Sequence, residues 1–264
     1  MRVSLTKHYY FTHPKVHAPK GTPRNLTIAL EETKQRGAHR LRPQVTKTLW
    51  NKQQFITIIK IMSLFFYKDA LEIPCSESEA ARYLGYRNNA VPDKNIQNLI
   101  HDCCQEMRHY LSPKCVYEEF ELTLKGSNTI CFGGTECQSE CLSRNLKNCS
   151  SVILFAATIG AGVDRLIRRM QAQDSVKAAV MQSVGAMYTE SFCNAFNGKI
   201  KAQVQARGQK THPRYSPGYG DVPLTMQKTF FSLLQCNKIG LTLMDTLIMS
   251  PEKSVTAFIG IECG

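Results

Sequence analysis

Residues 151–171 read SVILFAATIGAGVDRLIRRMQ, and how this stretch is understood decides the fold. Its first half is an unbroken apolar run of strand length, followed by a glycine turn and a basic amphipathic helix. Strand, G-x-G and helix in that order invite a doubly wound dinucleotide fold. The full fingerprint needs a third small residue three positions after Gly162, where a helix packs closely on a sheet, and that position holds Arg165. An acidic ribose-binding residue closing a second strand is also absent. The glycines are therefore read as a turn that lets a helix start.

Outward from this unit the same alternation of helices and paired strands continues without a βαβ rhythm. Downstream, DSVKAAVMQSVGAMYTESFCNAFNGKIKAQ (174–203) is the clearest helix, with Asp174 at the N-cap and Val176, Val180, Val184 and Met187 on one face. Glu190 falls at the edge of that apolar stripe, where a carboxylate can lie on the surface or reach into a pocket. Upstream, SESEAARYLGY (76–86) begins with Ser76 or Ser78 as a cap and stops at Gly85, and residues 95–111 place Ile96, Leu99, Ile100, Cys103 and Met107 at helical spacing. Residues 114–126 read as a strand with Val116, Glu118, Phe120 and Leu122 on one parity. VPLTMQKTFFSLLQC predicts a helix with Met226, Phe230, Leu233 and Leu234 inward. Residues 241–249, SPEK and 254–261 predict strand, turn, strand, with Val255, Ala257, Ile259 and Ile261 alternating. The class is α+β, a single domain.

Charge separates the chain into two parts. Of the 33 basic residues, twelve fall in residues 1–61 against only Glu31 and Glu32, a local net charge of +10 out of the total of +12. This leader, with little apolar periodicity, reads as disordered or as a non-native start, with Met62 a candidate first residue. A nucleic-acid arm is the rival reading, weakened because no basic and aromatic stripe continues into the body. The run 55–67, FITIIKIMSLFFY, is interrupted by Lys60 and falls short of the ~20 residues a bilayer requires. It is expected to be a strand or buried entry segment. No membrane partner and a cytoplasmic location are expected.

Eleven cysteines in such a chain need a reading other than disulfides. Cys131, Cys137, Cys141 and Cys149 lack the C-x2-C knuckle of zinc sites, and Arg144 stands where a C-x3-C-x2-C cluster loop needs its third thiolate. Reduced or buried thiols and no metal are expected, with a labile site as the minority reading.

The chemistry concentrates in RYSPGYGD, residues 214–221. Arg214 offers a planar fork for a carboxylate or phosphate. Pro217 and Gly218 make a turn that lets a ligand approach the backbone, so N–H groups around Ser216 and Gly218 can donate to the same anion. Tyr219 adds a flat face with a polar tip. Glu190 is a candidate partner for cationic groups of the same ligand. A plain surface turn explains the spacing equally well.

A resemblance weighs in favour of the site. Glu190, then Arg214, Pro217, Gly218, Tyr219 and Pro223, a helix, and Gly240, Leu243, Met249, Pro251, Ser254 and Val255 resemble the activation domain of cobalamin (vitamin B12)-dependent methionine synthase. YLGY, VYEEF, AATIG and YTESF extend the likeness over about residues 76–261. The resemblance implies a twisted, mainly antiparallel sheet with packed helices in residues 62–264, and S-adenosylmethionine as ligand. It implies that Arg214 holds the ligand carboxylate, that the backbone at Ser216 and Gly218 supports it, that Tyr219 frames the ligand, and that Glu190 faces the sulfonium. The sequence departs from the family pattern at Ala186, where the family has an acidic residue, and at Ile259, where it has a tyrosine. The implied role is reductive methylation of cob(II)alamin carried by a separate methionine synthase subunit, with a flavodoxin- or ferredoxin-like electron donor and no catalytic side chain from this protein. Activation of another corrinoid methyltransferase, and a non-enzymatic ligand- or nucleic-acid-binding protein, are the alternatives.

Overall fold

The structure, a computed structural model, describes residues 64–67, 73–86 and 90–264. In chain order the elements are β1 (Leu64–Tyr67), α1 (Glu77–Tyr83), α2 (Lys94–Arg108), β2 (Lys114–Lys125), β3 (Thr129–Phe132), β4 (Thr135–Gln138), α3 (Glu140–Asn145) and β5 (Cys149–Thr158). There follow α4 (Ala161–Gln171), α5 (Ser175–Gln205), β6 (Lys210–Thr211), a 3-10 turn (Leu224–Met226), α6 (Gln227–Leu233), a second 3-10 turn (Cys236–Ile239), β7 (Thr242–Leu243), β8 (Met249–Ser250) and β9 (Ser254–Glu262). The readings of residues 1–63, including the basic leader and most of the 55–67 run, lie outside the described residues. The end of that run forms β1, paired with the start of β2.

One antiparallel sheet organises these elements, in the order β4-β3-β2-β5-β9-β6, with β1 alongside β2. The α+β class and the antiparallel sheet expected from the sequence are what is found. β5 is central, and Val152–Ala157 are buried on both faces, which is why it reads as a continuous apolar run rather than an alternating one. Each Val, Ile, Leu or Phe so buried contributes roughly 1.5–3 kcal/mol.

Two cores sandwich the sheet. On one face Cys115, Tyr117, Ile153, Phe155, Ala157, Ala257, Ile259 and Ile261 pack against α1, α2, α4 and α5. On the other, Val116, Leu122, Val152, Leu154 and Phe258 pack against α3, α6 and the 3-10 turns. The parities read for β2 and β9 are correct, since Val116 and Leu122 share one face and Ala257, Ile259 and Ile261 the other.

The G-x-G turn is explained by packing. Gly160 has φ +98°, and a Cβ there would meet Ser112 Cβ at 2.9 Å. A Cβ on Gly162 would stand 2.6 Å from the Tyr110 carbonyl oxygen. The helix α4 thus starts against the connection between α2 and β2, which also donates Ser112 N–H to Ile159 O at 2.8 Å. The glycines serve close backbone approach.

Helix starts follow their caps. Ser76, not Ser78, accepts from Glu79 N, Asp93 accepts from Asn95 N and Ile96 N, and Asp174 accepts from Lys177 N. Two expectations are corrected. Val176 is 58 % exposed, because the first turn of α5 projects past its neighbours, whereas Val180, Val184 and Met187 are buried. Residues 241–249 form no continuous strand. Only Thr242 and Leu243 pair, with Ser250 and Met249, around a turn in which Leu247 takes φ +64°. Met244 and Ile248 point outward with no sheet to cover them, so the alternation in that stretch has nothing to pack on.

The cysteine cluster is split by register. Ile130 pairs with Cys137 and Cys131 with Glu136, so Cys137 faces the core and Cys131 the opposite side. Among the described residues no group of three metal-capable side chains assembles.

Candidate functional site

The segment 212–222 crosses from the end of β6 over the second face of the sheet. Tyr215 is stitched to β9 in both directions: its N–H donates to Phe258 O at 3.0 Å, and Phe258 N–H donates back at 2.7 Å. His212 fastens the segment upstream, its Nδ1 2.6 Å from Asn145 O and its Nε2 3.0 Å from Glu262 Oε2, and that contact holds Glu262 below the usual carboxylate range. His212 is thus a structural connector.

Downstream, Asp221 caps α3 from a distance. Its carboxylate accepts from Ser139 Oγ at 2.5 Å, Glu140 N at 2.7 Å and Cys141 N at 3.2 Å. The Ser139 hydroxyl first, then these N–H groups, push its pKa down to about 2. Between the two anchors the turn closes on itself. Gly218, at φ +87°, donates its N–H to Val222 O at 2.9 Å, and Tyr219 N–H donates to Ser216 O at 3.3 Å. The Gly218 N–H is therefore committed to the turn, while Ser216 N–H takes no part in these bonds. Pro217 is buried, and Tyr219 is half-buried.

Arg214 leaves this anchored loop and reaches the middle of α5. Its Nη2 donates to Glu190 Oε1 and to Asn194 Oδ1, the latter at 2.9 Å. The arginine side chain is 17 % exposed and the glutamate 40 %, so the pair lies at the surface within reach of solvent rather than in a sealed interior. Glu190 and Asn194 are four residues apart on one helix face. Tyr83, at the end of α1, lies close enough for Glu190 to act on it. Burial first, then the Glu190 charge, raises its phenol pKa, while Arg82 sits 4.5 Å over its ring.

Arg214 and Glu190 are thus brought together, with Ser216, Gly218 and Tyr219 on the adjoining turn. Sequence reasoning missed Asn194, which the i, i+4 step from Glu190 could have revealed, and Tyr83, which lay within the YLGY stretch. A guanidinium and a carboxylate side by side at the surface can receive a ligand bearing both an anionic and a cationic group.

Residues 135–262 match the family model described as the vitamin B12 dependent methionine synthase activation domain. Residues 135–262 carry the pattern of this activation domain. Every residue of the site except Tyr83 and Arg82 falls within the matched stretch. The activation domain's fold extends beyond it: a crystal structure of the MetH reactivation domain bound to AdoHcy superposes with a TM-score of 0.59 at 16 % identity, covering 76 % of this chain and 78 % of that one. Comparison with curated proteins finds no match. Among the described residues no helix is long and apolar enough to cross a membrane.

Proposed function

We propose that residues 62–264 bind S-adenosylmethionine and present its methyl group to the cobalamin of a separate methionine synthase subunit. The observation that carries this reading is the Arg214–Glu190 pair at a half-open surface. The ligand is itself charged in both senses: its α-carboxylate suits the remaining N–H groups of the Arg214 guanidinium, and its sulfonium suits the Glu190 carboxylate. Ser216 N–H and the half-buried Tyr219 ring stand on the same turn to support and frame the ligand. The AdoHcy held by the related reactivation domain is what S-adenosylmethionine becomes once its methyl has left, which favours the same ligand class here.

The partner's cobalamin would supply the methyl acceptor once one electron from a flavodoxin- or ferredoxin-like donor had reduced its cob(II)alamin state, and S-adenosylhomocysteine would be the product left on this chain. No proton moves in that transfer, so the chain needs no general base. Its task is orientation, turning an encounter of two bodies into an aligned one. The working location on this reading is the cytoplasm, where such donors and a cobalamin-loaded synthase meet.

Calorimetry with S-adenosylmethionine tests the reading. The native protein should give a saturable heat that Arg214→Ala abolishes and Arg214→Lys keeps in part. Equal heats from the native and alanine proteins, or none from either, would overturn it.

A further inference from the structure

Residues 251–253 join β8 to β9, and their backbone is tied on several sides. Glu252 N–H donates to Asp164 Oδ2 on α4 at 2.7 Å, Ser254 Oγ donates to Pro251 O at 2.7 Å, and Ile159 N–H donates to Lys253 O at 3.1 Å. Lys253 therefore leaves a fixed backbone. Its stem runs along α5 at Gly185: a Cβ on that glycine would lie 3.0 Å from Lys253 Cε, 3.4 Å from Cδ and 3.5 Å from Cγ. A bare backbone at position 185 gives the lysine its channel.

That channel leads to a cavity of about 50 Å³, which Lys253 lines together with Asp164, Arg168 and Gln171 of α4, Gln182 of α5 and Glu252 of its own loop. Asp164 is buried, whereas Arg168, Gln171 and Glu252 are exposed, so the cavity has an acidic floor and an open polar rim. Among the described residues neither carboxylate forms an ion pair with Lys253. Burial lowers the amine below the usual lysine range, and the charges of Asp164 and Glu252 restore only part of the shift. More of it is thus unprotonated at neutral pH than of a solvated lysine. This site lies apart from the Arg214 loop and is used by nothing in the proposed ligand binding.

We propose that Lys253 is an acylation site for small acyl phosphates, with Arg168 on the rim receiving the phosphate and the cavity holding the acyl group once it is transferred. The lone pair of Lys253 Nζ attacks the acyl carbon, the C–O bond to phosphate breaks, phosphate leaves with that electron pair, and the surplus proton of the amine passes to solvent. No oxidant or reductant takes part. A guanidinium suits the phosphate as an anion with several acceptor oxygens, and the amides of Gln171 and Gln182 can donate to the acyl oxygen. Space of this size takes a few water molecules, hence a two-carbon acyl group and not a long chain. The product amide is neutral, so a half-buried cation is exchanged for a group that costs less to keep from water.

The test incubates the native full chain with acetyl phosphate at neutral pH and follows acetyl occupancy at each lysine by mass spectrometry. Lys253 should acetylate about tenfold faster than the exposed Lys201 and Lys228, and the preference should vanish when the chain is unfolded in urea. Arg168→Gln, a change on the exposed rim, should slow Lys253 acetylation by acetyl phosphate while leaving its rate with an uncharged acetyl ester unchanged. Lys253 reacting no faster than the two exposed lysines, or a preference that persists in urea, overturns the proposal without recourse to any variant. An Arg168→Gln protein that acetylates at the native rate with acetyl phosphate overturns it as well.

Discussion

Arg214 and Glu190, 24 residues apart in sequence, form an ion pair that joins the loop after β6 to the middle of α5. The loop end is set by the Tyr215–Phe258 bridge and the helix end by burial of its neighbours Thr189 and Phe192. Two independently anchored elements therefore hold opposite charges side by side at the surface, so neither charge must be ordered when a ligand arrives.

Removing the charge of Glu190 while keeping its shape separates binding from stability. On the proposed binding mode, Glu190→Gln should weaken S-adenosylmethionine about tenfold, ~1.4 kcal/mol, by loss of the anion proposed to face the sulfonium. With the glutamate 40 % exposed, folding stability should change by less than about 1 kcal/mol. Calorimetry and urea denaturation of the same variant read the two quantities.

The G-x-G turn should tolerate no side chain. Gly162→Ala places a methyl 2.6 Å from the Tyr110 carbonyl oxygen, and backbone must shift to admit it. A loss of about 1–3 kcal/mol is expected. Gly198→Ala is the control: within α5 its Cβ meets nothing, so a gain of about 0.5–1 kcal/mol is expected from helix propensity. Chemical denaturation of both checks the contrast.

Asp221 predicts an acid limb. Its folded pKa, about 2, lies below the ordinary 3.8, so the carboxylate's contribution is fully present above the unfolded value and is lost as pH falls through the folded one. The melting temperature of the native protein should exceed that of Asp221→Ala by a constant margin above about pH 4, and the margin should shrink toward pH 2. A margin that does not change with pH would contradict the capping role.

Core and surface valence differ sharply along α5. Phe196 is fully buried, with ring centroids 4.9 Å from Phe155 and 5.1 Å from Tyr117, and Phe196→Ala should cost about 3–5 kcal/mol. Val176→Ala, in the exposed first turn, should fall within about 0.5 kcal/mol of the parent. Denaturant midpoints of the two variants read the difference directly.

Much of the fold was legible because its signals are local. Asp174 capping α5, the apolar run of β5 and the alternation of β9 each follow from backbone hydrogen bonding and side-chain period within a dozen residues. The reading of 241–249 as a strand failed for a non-local reason. Its β propensity was real, but Met244 and Ile248 find no sheet face to cover them, and the chain turns back on itself instead. Similarly, the apolar pattern of α5 could not show that Val176 projects past the helices packed beside it.

By itself the sequence determined the class, the helix starts and the residue types gathered around Arg214, since period, caps and turn chemistry are written in adjacent positions. Tertiary structure alone decided that Arg214 meets Glu190 and Asn194, and that the Gly218 N–H is spent inside its own turn while Asp221 caps a helix about 80 residues upstream. Those pairings depend on how the sheet brings distant segments together, and no spacing along the chain encodes a distance across it.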